Sequence, residues 1–332
     1  MDKQFKALMV REKDGLFNAS VEQVPFAEMR QNEVLIKVNY SSVNYKDALS
    51  ASGNRGVTRR FPHIPGIDAV GRVASSASDR FKEGDPVLIT GYDLGMNTWG
   101  GFGEYISVPA AWIVPLPASL SPFEAMSLGT AGLTAGLSVF NLIEAGIDKD
   151  SGQIAVSGAT GGVGSIAVAI LSKLGYEVVA ISGKNDEGFL TDILGAAASV
   201  PREAFVEKYN AKAMSSAEFA AGIDTVGGDV LSGILKSLKY NGVVTCCGNV
   251  ASAQISTSIF PFILRGVKLI GIDSVEQPIN FKEKIWNLLA DEWKPTRLKD
   301  MTKEISLEQL ADVLKTISEG KAKGRFVVNH RL

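Results

Sequence analysis

The sequence predicts a two-domain α/β protein, with a compact β-barrel-like domain first and a doubly wound parallel sheet second. Three observations carry this. The chain has 332 residues, which gives a prior of about two domains. Its first 120 residues read as short strands punctuated by Gly, Pro, Asn and Asp. From about residue 125 the period changes to apolar strand runs alternating with helical patterns.

In the first part the strands are expected over 6–11, 34–39, 69–75, 86–89 and 104–109, and the boundary near Ser121–Glu124. In the second they are expected over 153–157, 177–182, 222–225, 243–246 and 268–272, with helices between most of them. A helix follows Pro278, where Trp286, Leu289 and Trp293 recur at packing intervals. The strand-helix-strand pattern of 302–306, 307–319 and 325–329 can return to complete the first domain.

Hydrophobic residues make up 45% and charged residues 21%, an ordinary globular balance. Lys and Arg total 34 against 36 Asp and Glu, with no long block of one sign, so no nucleic-acid or membrane partner is indicated. The charged start lacks the apolar stretch of a secretory signal, and no run reaches the roughly 18 apolar residues of a membrane span, which reads as cytoplasmic. The two cysteines, Cys246 and Cys247, are adjacent and fit neither a disulfide framework nor a four-ligand metal site.

The most informative segment is Gly158-Ala159-Thr160-Gly161-Gly162-Val163-Gly164, between the strand ending at Ser157 and a helix with apolar residues at 163, 166, 167, 170, 171 and 174. Glycines there allow a tight turn and close approach of backbone N–H groups to a pyrophosphate, the device of a Rossmann dinucleotide site. Ala159 occupies the first position of the strict glycine pattern, so the strand-loop-helix-strand context carries the reading. About 20 residues on, an NAD site places a carboxylate on the ribose hydroxyl. Here the strand ends in Ser182-Gly183-Lys184, whose hydroxyl, open backbone and cation suit a 2′-phosphate, favouring NADPH.

Taken together with Ser41-Ser42-Val43-Asn44-Tyr45-Lys46-Asp47, Phe61-Pro62-His63-Ile64-Pro65-Gly66-Ile67-Asp68, Gly129-Thr130-Ala131-Gly132, Ile223-Asp224-Thr225-Val226-Gly227-Gly228 and Pro261-Phe262-Ile263-Leu264-Arg265-Gly266, the chain resembles the medium-chain dehydrogenase/reductase superfamily. It is most similar to the zinc-lacking quinone oxidoreductase branch, in its YhdH/YhfP-type group that includes acrylyl-CoA reductases. The resemblance implies a GroES-like catalytic domain over 1–122, completed by 296–332, and a Rossmann NADPH-binding domain over 123–295. Zinc-dependent relatives carry a Cys ligand and a His-Glu pair where this chain has Asn44 and Ile67-Asp68, so no metal is expected.

The resemblance further implies that Tyr45 lies over the nicotinamide, with Thr130, Asn249 and Ile263 also at that end. Thr160, Gly161, Gly162 and Val163 are implied on the pyrophosphate, and Ser182, Gly183, Lys184 and Arg202 around the 2′-phosphate. A homodimer paired through 269–272 is implied as well.

Without a metal, the acceptor must already be electrophilic, as is a quinone or a C=C conjugated to a carbonyl. Hydride transfer to the β-carbon of an enoyl-CoA, acryloyl-CoA-like, is the leading expectation. A quinone or enone reductase without CoA preference and a catalytically silent NADPH sensor are the alternatives. Tyr45 is the candidate for oxyanion contact or proton delivery, positioned by Asn44 and Asp47. The same segment also reads as a helix start in which Asp47 caps and Tyr45 packs. His63 and His330 receive no role, and loops 50–60 and 92–101 are the expected seats of specificity.

Overall fold

The fold is known from a computed structural model that describes residues 4–332. Contacts divide the chain into two compact units: residues up to Thr130 with Val275–Ala290 and Thr302–Leu332, and Ala131–Ser274 with Asp291–Met301.

The first unit begins with β1 (Gln4–Lys13) and β2 (Leu16–Pro25), an antiparallel hairpin. Its two-residue turn is Asp14-Gly15, both at positive φ (53° and 75°), the conformation that tight hairpins favour and that Asp-Gly accepts. β2 was absent from the strand reading. Its alternating Asn18, Ser20 and Glu22 face outward, so it lacks a continuous apolar run.

After β3 (Val34–Ser42) come the short helix α1 (Tyr45–Ala51), β4 (Asp68–Ser76), β5 (Pro86–Thr90), β6 (Tyr105–Val108) and β7 (Val114–Pro115). β3 pairs antiparallel with both β4 and β6, β4 with β5, and β5 with β7. Val34, Ile36, Val38, Ala69, Val73, Val87 and Ile89 form one apolar layer.

Helix α2 (Pro122–Glu144) meets the length and hydropathy of a membrane span, unlike the expectation from the linear scan, yet 78% of its most apolar window is buried within the protein. It is also broken at Gly129, whose φ of 53° and ψ of −154° are not helical.

In the second unit β8 (Ile154–Ser157), α3 (Gly162–Lys173), β9 (Val178–Ser182), β10 (Ala198–Pro201), α4 (Arg202–Asn210), β11 (Phe219–Asp224), α5 (Gly228–Ser237), β12 (Leu238–Cys246), α6 (Phe260–Arg265) and β13 (Lys268–Gly271) alternate. The sheet order is β10-β9-β8-β11-β12-β13, every pair parallel. β8, β9 and β11 are buried throughout, as strands covered on both faces must be. β10 was missed because it is a four-residue edge strand, half exposed and ending in Pro201.

The chain then forms α7 (Ile279–Ala290), β14 (Thr302–Ile305), α8 (Leu310–Ser318) and β15 (Arg325–Asn329). α7 belongs with the first unit because Lys282, fully buried, donates from Nζ to the carbonyls of Thr90 and Val275 at 2.8 Å each and lies 3.5 Å over the Tyr92 ring. β14 runs parallel to β15, and β15 pairs antiparallel with β3 through Val327–Ser42 and Asn329–Tyr40.

His330 follows β15, and its Nε2–H donates to the Gly101 carbonyl at 2.9 Å. Burial pushes this imidazole down to about 4, against the hydrogen bond to Gly101, which favours protonation. The unfolded chain takes up the proton near 6.5, before the folded one does. Stability present above pH 6.5 is therefore lost as pH falls toward 4. His330→Asn should flatten that acid limb by on the order of 1–2 kcal/mol, discounted because the residue is partly exposed. Thermal melts of both proteins from pH 7 to 4 check it, and parallel acid limbs would refute it.

Candidate active site

In the first unit the site is built where β3 hands over to α1. Asn44 is the N-cap, in extended conformation, and Asp47 closes a capping box by accepting its N–H at 2.7 Å. The other Asp47 oxygen accepts the Ile67 N–H at 2.9 Å. Asp47 is fully buried, and burial, joined by the negative charge of Asp68, raises its carboxyl to about 7, while the N–H groups of Asn44 and Ile67 pull the other way.

Asp68, the first residue of β4, is also sealed from solvent. It accepts from the Ser42 hydroxyl, from Asn44 Nδ2 at 2.9 Å, from the Thr130 N–H at 2.7 Å and from the Thr130 hydroxyl at 2.5 Å. Asn44 Nδ2 also donates to Ser42 Oγ at 2.9 Å. From β15, buried Arg325 donates to the carbonyls of Ser127 at 2.9 Å and Val43 at 3.4 Å. Burial lowers its guanidinium to about 10 against the opposing pull of Asp68 and Asp47.

Asn44 and Thr130 thus meet at the Asp68 carboxylate, with Asp47 joined to it through the Asn44 cap, whereas Tyr45 is 44% exposed. The linear motifs missed Asp68, Ser42 and Arg325 as site residues. The available signal was a charged residue inside the apolar run Ile64-Pro65-Gly66-Ile67-Asp68-Ala69-Val70, which a buried strand tolerates only with partners.

In the second unit Gly161 caps α3, and the preceding turn is tight. A Cβ on Gly164 would stand 2.3 Å from the Gly158 carbonyl oxygen, and one on Gly158, at φ 59°, 2.3 Å from Thr225 Oγ1. Asp224, buried at the end of β11, accepts from Ser157 Oγ at 2.7 Å and from the Gly227 N–H at 2.7 Å, while Ser157 Oγ accepts the Thr225 N–H at 2.9 Å. Burial raises the Asp224 carboxyl, opposed by these donors. The clamp ties β8 to β11 where the strand order reverses, the place where such sheets form ligand crevices.

Thr160 Oγ1 lies 3.3 Å from Ser182 Oγ, which also accepts the Lys184 N–H at 3.0 Å. The Arg202 guanidinium lies against Gly183, with Cζ 3.0 Å from where a Cβ would be. These residues, with Gly161, Gly162 and Val163, form one group. Arg202 also lines a cleft of about 630 Å³ with Gly228, Val230 and Ile255. Asn249 borders the turn at Gly227, and Ile263 is carried by α6, 62% exposed.

Removal of the Asp68 carboxylate takes an acceptor from the Ser42 hydroxyl, from Asn44 Nδ2 and from the Thr130 N–H and hydroxyl, all buried or half-buried. Asp68→Ala should lower unfolding stability by about 3 kcal/mol or more, read from denaturant midpoints; a loss under about 1 kcal/mol would sink the assignment.

Residues 30–118 match the alcohol dehydrogenase GroES-like domain and residues 162–291 the zinc-binding dehydrogenase domain. Putative quinone oxidoreductase YhfP of Bacillus subtilis is 40% identical over 329 residues, covering 99% of both chains, and its structure with NAD bound superposes with a TM-score of 0.94. Probable acrylyl-CoA reductase AcuI of Escherichia coli is 40% identical, covering 97% of this chain and 99% of its own. The yhdH oxidoreductase of Salmonella enterica, solved in complex with NADP, is 39% identical with a TM-score of 0.94, covering 98% and 99%.

The zinc implied by the second domain's name does not fit the residues. Asn44 already gives its amide hydrogens to Asp68 and Ser42, Ile67 has no ligand atom, and no group of three or more His, Cys, Asp or Glu among the described residues can hold a metal. The chain belongs to the medium-chain dehydrogenase/reductase superfamily, as a member of the YhdH/YhfP-type group of the quinone oxidoreductase branch.

Proposed function

We propose that the chain is a zinc-independent, NADPH-dependent reductase that adds hydride to the C=C of an α,β-unsaturated acyl-CoA of the acryloyl-CoA kind. The observation that carries the cofactor choice is the end of β9, where Ser182-Gly183-Lys184 stands in place of a carboxylate and the Arg202 guanidinium, paired with Glu203 at 3.0 Å, lies against Gly183. The substrate class is supported by the 40% identity to an acrylyl-CoA reductase along nearly the whole length.

NADPH supplies the hydride when bound. Thr160, Gly161, Gly162 and Val163 are assigned to its pyrophosphate at the start of α3, where the Gly161 N–H is bonded to the Gly158 carbonyl at 2.8 Å and the first-turn N–H groups of Gly162 and Val163 follow. Ser182, Gly183, Lys184 and Arg202 take the 2′-phosphate, and the cleft beside Arg202 has room for the adenine. Tyr45, Thr130, Asn249 and Ile263 are assigned to the nicotinamide end.

Of the segment Asn44-Tyr45-Lys46-Asp47, Tyr45 is the most exposed, with Asn44 and Lys46 half-buried and Asp47 buried, and its hydroxyl is the group taken to meet the substrate carbonyl oxygen and offer a proton. Asn44 and Asp47 act by holding the first turn of α1, and with it the Tyr45 backbone. The first unit is the catalytic domain and the second the cofactor domain.

The protein is proposed to work in the cytoplasm as a homodimer, paired along the exposed edge of β13 and the apolar strip of Ile259, Phe260, Ile263 and Leu264 on and before α6.

Stopped-flow oxidation of NADPH and NADH, with acryloyl-CoA, crotonyl-CoA and a benzoquinone offered in parallel, tests the reading. NADPH with acryloyl-CoA should be fastest. Faster turnover of the quinone would favour a quinone oxidoreductase, the activity named for the YhfP relative. Arg202→Ala should weaken NADPH binding about tenfold and leave NADH within twofold, and equal losses for both cofactors would remove Arg202 from the 2′-phosphate. Tyr45→Phe should reduce kcat by about a hundredfold with NADPH affinity retained, and unchanged turnover would exclude proton delivery by Tyr45.

A further inference from the structure

The overall charge is slightly negative, with 34 basic against 36 acidic residues, so a polyanionic substrate must be attracted locally. One loop has the means. Between α1 and His63 it carries Arg55, Arg59 and Arg60 within six residues, all exposed.

Arg55 serves the loop itself. It forms a two-pronged pair with Glu12 at 2.7 Å, lies 5.5 and 5.3 Å from the ring centres of Phe17 and Phe61, and donates to the Arg59 carbonyl at 2.9 Å. The Val57 and Thr58 N–H groups donate to the Asn54 carbonyl, and buried Thr58 is bonded to Ser50 Oγ at 2.7 Å. The Arg59 N–H donates to Asn97 Oδ1 at 3.3 Å. The backbone is therefore fixed; of the nearby acids, Glu12 is paired with Arg55 and Asp93 accepts from Asn97 and Thr98.

Arg59 and Arg60 are different. Among the described residues neither guanidinium has an ion-pair or hydrogen-bond partner. The Thr58–Ser50 bond places them beside the C-terminal end of α1, whose first residue is Tyr45. Ser50 is five residues along, roughly 8 Å down the helix axis.

We propose that Arg59 and Arg60 form the subsite for the phosphorylated nucleotide half of coenzyme A, clamping its 3′-phosphate or diphosphate while the thioester reaches Tyr45. This rests on the acyl-CoA reading above and adds the residues that select it. Two guanidiniums on a fixed loop match phosphate oxygens in bidentate fashion, and the pinned backbone lowers the ordering cost of binding. The flexible pantetheine arm spans the gap between the phosphates and the reacting carbons.

The test compares acryloyl-CoA with acryloyl-N-acetylcysteamine, which keeps the thioester and lacks the nucleotide, in the wild type and in the R59A/R60A double variant of the full chain. The ratio of kcat/KM for the two thioesters should fall at least about tenfold in the variant, through KM for acryloyl-CoA, and R59K/R60K should recover only part of it. KM for acryloyl-CoA in the wild type should also rise with salt more steeply than in R59A/R60A. An unchanged ratio overturns the proposal. If the wild type oxidises NADPH with neither thioester, the acyl-CoA reading falls, and calorimetric titration with free coenzyme A then decides the arginine pair. Binding weakened at least about tenfold by R59A/R60A upholds it, and equal or absent binding rejects it.

Discussion

The buried carboxylate of Asp68 is the interaction on which the first unit's active-site geometry depends. It joins β3 through Ser42, the cap of α1 through Asn44 and the broken α2 through Thr130. The break in α2 is part of the same arrangement. Gly129 takes φ 53°, and a Cβ there would stand 2.5 Å from Ser42 Oγ and 2.6 Å from Asp68 Oδ2. Glycine is therefore required both for the backbone conformation and for the approach of the carboxylate. Charge balance explains the return of the C-terminal segment. Two sealed carboxylates are costly, and Arg325, delivered by β15, places a positive charge within reach of both. Asp47, raised to about 7, holds its proton over part of the neutral range and so removes one negative charge from the cluster. The sign of its linkage is opposite to that of His330. A raised folded-state carboxyl favours the folded protein below about pH 4, and that contribution is lost as pH rises through 7.

The second unit depends on a comparable device in a different material. Ser157 and Asp224 end neighbouring parallel strands, and their hydrogen bond holds the two outgoing loops at a fixed separation. The Thr225 hydroxyl then donates to the Ser157 carbonyl at 3.0 Å, which fills the space over Gly158. Gly248 is subject to the same crowding, since its Cβ would meet the Thr225 carbonyl oxygen at 2.0 Å. The glycines of this region make room for one another's loops as well as for a phosphate. That is why Ala159 can occupy a position where the strict motif has glycine: it is buried, and its N–H is bonded to the Ile181 carbonyl at 3.2 Å, so the site asks for a small residue there.

What could be read from the sequence follows from how local each signal is. Buried parallel strands such as β8 and β9 are continuous apolar runs bounded by turn residues, and their expected limits fall within a residue of the observed ones. The glycine loop is legible because all its parts are consecutive. β2 and β10 are not, since an exposed hairpin strand and a short edge strand bury too little for the pattern to register, although Asp14-Gly15 marks the hairpin turn. The Asp68 cluster is assembled across separations of 26, 62 and 198 residues, which no spacing rule reaches. The sequence reads a helix start in which Asp47 caps and Tyr45 packs; the helix does start there, but Asn44 is the N-cap with Asp47 completing the box from the first turn, and Tyr45 is exposed; the partners Ser42, Asp68 and Ile67 needed the tertiary structure.

A carboxyl near pH 7 beside a candidate substrate site invites the role of general acid, and the geometry argues against giving it to Asp47. Both of its oxygens accept backbone N–H groups, one of them from the cap of α1. A general acid must reach the atom it protonates, directly or through a water. Asp47 has no exposed surface, so proton exchange with the substrate would require opening the turn that holds Tyr45 in place. Its pKa is a consequence of burial in a structural cluster, as perturbed groups in ion networks commonly are. The Tyr45 hydroxyl has the opposite character, with an accessible side chain carried on a turn fixed by buried groups. On the proposed reading that hydroxyl meets the carbonyl oxygen of the acceptor and gives the proton that the enolate takes up after hydride addition. On that reading, the rigid first turn of α1 is what fixes the Tyr45 hydroxyl relative to the acceptor.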